Sequence, residues 1–172
     1  MERRWIALLR AVNLVKRNRV PMAGLREVFE RAGGEDVRTY IQSGNVVFAH
    51  EHPDRAALEA AIIDAFGVET VVVLRTATQM QKLAASHPFG DDTSNSLVAF
   101  LLEKPSPAAV RRLAGSDGGT DEFKVIGSDV ALHYPNGYAG ATLTPAKIEK
   151  LLGVPGTARN WRTVTKLAEL AG

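Results

Sequence analysis

The 172 residues predict an α+β fold, and three observations carry that prediction. Strand-like apolar runs and helix-spaced apolar positions alternate over residues 5–75 in the order strand, helix, strand, strand, helix, strand. A similar order recurs from residue 96. No stretch approaches the ~18 uninterrupted apolar residues that a membrane helix needs, although 45% of the chain is hydrophobic.

Each element has its own signal. Residues 5–12 form a short apolar run that reads as a buried strand. A basic polar loop follows, from Asn13 to Val20. Pro21 suits the first turn of a helix, where a missing N–H costs nothing, and Met22, Leu25, Val28 and Phe29 recur at helical spacing. Gly33-Gly34 ends that helix. Residues 37–42 and 45–49 are β-rich and join at Ser43-Gly44, a hairpin signal. Residues 54–66 form a second helix, ended by Gly67, and 69–75 a further strand.

Beyond it, a helix is expected at 77–86, a strand at 96–103 and a helix at 106–114. Strands at 122–126 and 129–134 flank Gly127-Ser128. Helices at 145–152 and 160–171, separated by Gly153-Val154-Pro155-Gly156, close the chain. The first half is the split βαβ, ferredoxin-like pattern, and the second is βαββα without a clear final strand. The expectation is two packed ferredoxin-like subdomains, 1–76 and 77–172, the second ending in a helical extension.

The net charge of +2 hides an uneven distribution. Residues 1–22 hold six cations and one anion, and residues 143–172 five cations and two anions; the middle holds ten cations and sixteen anions. Basic ends of this kind attract anions if they share one surface. The start, Met-Glu-Arg-Arg-Trp, is not followed by the apolar stretch of a secretory signal, so a cytoplasmic protein is expected.

Composition and motif absences narrow the chemistry. There is no cysteine, which excludes disulfides, thiolate zinc sites, iron–sulfur clusters and a cysteine nucleophile. The four histidines, His50, His52, His87 and His133, lack metalloprotease spacing, and the acidic turn around Asp117 and Asp121 fails the EF-hand template. No metal and no cofactor are expected. No G-x-S-x-G elbow, P-loop or dinucleotide fingerprint is present.

Three polar clusters remain. The first, with Arg10, Asn13 and Lys16, lies in the basic loop before the helix that opens at Pro21, where an anion would find free N–H groups. The second, Tyr40-Ile41-Gln42-Ser43-Gly44-Asn45, is a hairpin whose Gln42, Ser43 and Asn45 would orient a polar ligand. The third is Arg159-Asn160-Trp161-Arg162-Thr163, with Asn160 as N-cap of the last helix. Cations at a helix start oppose its dipole, which suggests an anion that neutralises them.

These clusters, in this order, carry a family likeness. The chain resembles the bacterial family catalogued as domain of unknown function 1697. The matching stretches are Ile6 to Arg10 with Asn13, Val20-Pro21-Met22, Val37 to Phe48, His133 to Tyr138, and Ile148 through Arg159-Asn160-Trp161 to Leu167. The resemblance implies two α+β subdomains and supplies no activity. Where the family tends to have Gly-Ile-Asn-Val-Gly-Gly, this chain has Ala11-Val12-Asn13-Leu14-Val15-Lys16. A Ser-Lys pair common in relatives is replaced within Ala139 to Thr144, and a Thr-Thr pair by Thr157-Ala158.

The leading functional expectation is a site between the subdomains for a small anionic or nucleotide-like ligand, formed by Arg10, Asn13, Lys16, Gln42, Ser43, Asn45, Arg159, Asn160 and Thr163. The second is weak, sequence-independent nucleic-acid binding through the basic ends, with Tyr40 and Phe48 as the hairpin aromatics. An enzyme pairing Lys16 or Lys166 with Ser43 ranks below both. A structural or protein-interaction role, in which the same motifs are caps and turns, is the remaining alternative.

Overall fold

The computed structural model describes residues 3–172, so Glu2 of the basic N-terminal stretch lies outside it. It is a mixed α+β structure with two four-stranded antiparallel sheets. The chain divides into two compact units. One comprises the residues up to Lys82 together with Lys166–Gly172, and the other Leu83–Thr165.

In the first unit the order is β1 (Arg3–Leu9), α1 (Met22–Arg31), β2 (Glu35–Tyr40), β3 (Asn45–His50), α2 (Arg55–Phe66) and β4 (Val72–Thr76). The sheet order is β2-β3-β1-β4. Helix α1 starts one residue later than its proline suggests: Pro21 is the cap position, with extended backbone. Helix α2 is closed at both ends, because the Asp54 side chain accepts from the Ala57 N–H and Gly67 turns left-handed.

Alternation along the strands builds the core. Ala7, Leu9, Val46, Phe48 and Val72 face the helices and pack on Leu25, Val28 and Phe29 of α1 and Leu58 and Ile62 of α2. Phe29 meets Phe48 edge-on at 5.0 Å. The other face of this sheet carries Ile6, Leu8, Val47 and Val73, each at most 1% exposed.

The second unit continues from α3 (Ala77–Ala84), which crosses the unit boundary, with β5 (Ser96–Leu101), α4 (Pro107–Ala114), β6 (Glu122–Ile126) and β7 (Asp129–His133). A short 3-10 turn at Tyr138–Gly140, α5 (Pro145–Leu152) and β8 (Gly156–Asn160) complete it, and α6 (Trp161–Leu170) crosses back over the unit boundary at Lys166. The sheet order is β6-β7-β5-β8. Ser106-Pro107 and Thr144-Pro145 open α4 and α5 in the same way, hydroxyl cap then proline. Ala99, Leu101, Val130 and Leu132 pack on Leu113, Ile148 and Leu152.

Strand β8 corrects the sequence reading, which has no final strand in this half. Gly-Thr-Ala-Arg-Asn shows no apolar alternation, yet it pairs antiparallel with β5 from Gly156↔Leu101 to Asn160↔Leu97. The strand exists because β5 offers an open edge, not because these side chains favour one. Gly156 permits the approach: a Cβ there would sit 2.3 Å from the Phe100 carbonyl oxygen.

Candidate functional site

The first cluster of polar residues turns out to brace itself. Strand β1 ends at Leu9, and the chain enters a loop with positive φ at Ala11 (53°), Asn13 (52°), Lys16 (85°) and Asn18 (56°). The Asn13 amide donates to the carbonyls of Val20 (2.9 Å) and Gln42 (2.7 Å), while its oxygen accepts from the Val20 N–H at 2.8 Å. Asn13 therefore ties the basic loop to the β2–β3 hairpin. Asn45 is fully buried and donates to the Tyr40 carbonyl and to Ser43 Oγ. The Arg10 carbonyl accepts from Thr70 Oγ1 at 2.6 Å. Lys16 and Gln42 are exposed.

These placements bear on the aromatic surface expected for nucleic acid. Phe48 is 1% exposed in the core, and Tyr40 is half-buried. On the sheet face away from the helices Ile6, Leu8, Val47 and Val73 are aliphatic, so these positions offer bases no ring to stack on.

The third cluster splits across β8. Arg159 faces away from the helices, opposite Val98, and is 7% exposed. It donates to Thr157 Oγ1 and to the Ala158 carbonyl, and burial pulls its guanidinium down to about 10. Asn160, the next residue, points to the other side of the sheet and caps α6 by accepting from the Thr163 N–H at 2.8 Å. Thr163 itself is buried.

Beside this cap lies an open cleft of about 450 Å³. Asp91 to Ser96, Tyr138, and Asn160 to Arg162 line it. Arg162 is exposed at the rim. The Asp92 carboxyl is held below the ordinary value, chiefly by hydrogen bonds from the Ser94 hydroxyl and N–H, with nearby His133 and His87 adding to the effect. The cleft thus brings a cation, a helix N-terminus and carboxylates into one opening.

At its base Ser96 joins two histidines that sequence reasoning left unassigned. Ser96 Oγ lies 2.8 Å from His87 Nε2 and 2.9 Å from His133 Nδ1. His87 Nδ1 lies 2.8 Å from the Gly90 carbonyl oxygen. Trp161 packs edge-on against the His87 ring at 4.8 Å, and Phe89 stacks on His133. Ser96 and His133 are a cross-strand pair of β5 and β7, so only the register brings them together. Their signal in the sequence was the β5 and β7 runs, which say nothing of pairing.

Among the described residues, no group of three or more histidines and acidic residues is arranged to hold a metal ion. His50 and His52 are engaged in their own turn, where the His52 N–H donates to His50 Nδ1. Asp121 accepts from the Thr142 and Leu143 N–H groups and Asp117 from that of Gly119. No helix among the described residues is long and apolar enough to cross a membrane.

The fold has a solved counterpart. The conserved bacterial protein SP0830 from Streptococcus pneumoniae is 21% identical over 100% of both chains, with a TM-score of 0.74, a likeness of fold. An unknown protein from Galdieria sulphuraria is 14% identical over 92% of this chain and 98% of its own, with a TM-score of 0.30. No curated protein matches the chain. The family model described as "Protein of unknown function (DUF1697)" matches residues 1–130, and the chain belongs to that family.

Proposed function

We propose that the protein binds a small nucleotide-like ligand in the cleft at the start of α6. The observation that supports this reading is the presence of opposite chemistries in the lining of one opening. The first N–H groups of α6 have no acceptor within the helix, and with Arg162 they suit a phosphate. Asp91 and Asp92 suit hydroxyl or amino donors of the same molecule. Asn160, whose oxygen is committed to the cap, keeps its amide for the ligand.

Of the residues nominated from sequence, this reading draws on Asn160 directly and Thr163 as its support. Asn13 and Asn45 act as braces of the first unit. We also read each unit as ferredoxin-like, because both follow βαββαβ order and the final strand of each pairs with the first.

Titration calorimetry with AMP, ADP, adenosine and inorganic phosphate tests the proposal. AMP and ADP should bind at micromolar to low millimolar concentration and adenosine more weakly. Arg162→Glu should abolish the nucleotide signal. Absence of binding by all four compounds at millimolar concentration would overturn the reading.

A further inference from the structure

The proton positions around Ser96 follow from one fixed partner. A backbone carbonyl only accepts, so the Gly90 oxygen requires the hydrogen of neutral His87 on Nδ1. His87 Nε2 is then an acceptor, and the Ser96 hydroxyl donates to it at 2.8 Å in preference to the Ser94 carbonyl, which is 3.4 Å away. With that hydrogen committed, Ser96 Oγ accepts from His133 Nδ1–H. The chain of bonds runs one way, from His133 through Ser96 and His87 to Gly90.

A serine hydroxyl donating to an imidazole whose far nitrogen is held by an acceptor is the arrangement that makes serine nucleophilic. Here a peptide carbonyl takes the orienting role that a carboxylate has in a triad. Trp161 and Phe89 pack against the His87 ring edge-on, at 4.8 and 5.6 Å, and keep it in place. Asp92 is near enough to both histidines for their charge to help lower its own carboxyl. Ser96 also lines the cleft.

We propose that Ser96 is a nucleophile activated by His87, and that the cleft admits a small carboxylic ester whose acyl group is transferred to Ser96 Oγ. The Oγ–acyl bond forms as the ester C–O bond breaks. The hydroxyl proton passes to His87 Nε2 and then to the departing alkoxide. Water, deprotonated by His87, attacks the acyl-serine, releases the carboxylic acid and restores the hydroxyl. His133 is a positioning residue that donates to Oγ. Ser96 is only 1% exposed, so the acyl group must be short, of acetyl size. The inference shares the cleft with the ligand reading but does not need a nucleotide to bind.

The test is sulfonylation of the intact protein by methanesulfonyl fluoride, a reagent small enough for the site, followed by peptide mass mapping. One adduct is expected, on Ser96. It should vanish in Ser96→Ala and form roughly a hundredfold more slowly in His87→Ala, the usual weight of a general base. Turnover of p-nitrophenyl acetate should follow the same pattern and exceed that of the hexanoate. Because His87→Ala could loosen the packing, Ser96→Cys supplies a second readout. Its alkylation by iodoacetamide should proceed at pH 6, well below the ordinary thiol range near 8.5. The proposal is overturned if Ser96 is labelled only in urea, or if the Ser96→Cys thiol reacts with an ordinary pH profile. Neither result depends on the calorimetry.

Discussion

Arg75 and Arg159 occupy the same register in the two sheets. Arg75 lies opposite Ile6 across β4 and β1, and Arg159 opposite Val98 across β8 and β5. Each is followed by the cap of the next helix: Thr76, which exchanges bonds with Gln79, and Asn160, which accepts from Thr163. Buried Asn45, opposite Leu8, likewise corresponds to Asp129, opposite Phe100. The two halves thus repeat one plan down to the position of buried polar groups, although their sequences show no clear repeat.

The equivalence predicts equal consequences. Arg75 is 6% exposed and Arg159 7%. Truncating either to alanine strands the acceptors that the guanidinium now serves, at a cost of about 2 kcal/mol each. Urea denaturation of Arg75→Ala and Arg159→Ala should show matching losses.

The loop before α1 stores strain that glycine would release. Ala11 and Lys16 stand where the family pattern has glycine, and both keep the left-handed backbone that glycine tolerates. Ala11→Gly and Lys16→Gly should each stabilise the protein by about 0.5–1 kcal/mol, the strain relieved less the entropy glycine adds to the unfolded chain. Asn13→Ala should act oppositely, losing about 1–3 kcal/mol with its three bonds. A thermal-melt series of the three variants checks the signs.

Close approach makes Gly156 intolerant of any side chain. An added methyl would overlap the Phe100 carbonyl at 2.3 Å, and neither backbone can yield without parting β8 from β5. Gly156→Ala should cost at least 2 kcal/mol, in the range of overpacked cores, and should raise amide exchange at Thr157 and Arg159, whose N–H groups face β5. Unchanged exchange there would show that the pairing survives.

Asp36 gives the stability a defined acid limb. The hydrogen bond from Arg4, helped by Arg38, holds its carboxyl below the ordinary aspartate value. A lowered folded value means the contribution is complete above the unfolded value of about 3.9 and is lost as pH falls through the folded one. The stability gap between the wild type and Asp36→Asn should therefore be constant from pH 5 to 7 and close below about pH 4. Denaturation at each pH measures it, and a gap that persists at pH 2 would remove the ion pair as the cause.

By itself the sequence determined the α+β class, the family and the order of elements other than β8. Helical spacing at Leu25, Val28 and Phe29, the Asp54, Ser106 and Thr144 caps, and the turns at Gly44 and Gly127 are local signals, readable because their physics lies within a few residues. Asn160 was legible as a cap for the same reason. Tertiary structure alone decided what depends on partners distant in the chain. Strand β8 exists through the edge of β5, and the Asn13 side chain is spent on Val20 and Gln42. Ser96 meets His87 and His133 only because the register of β5 on β7 sets His133 directly across from it. A slip of one residue would turn that histidine to the other face, and it is the pairing of the two strands that sets it across from Ser96.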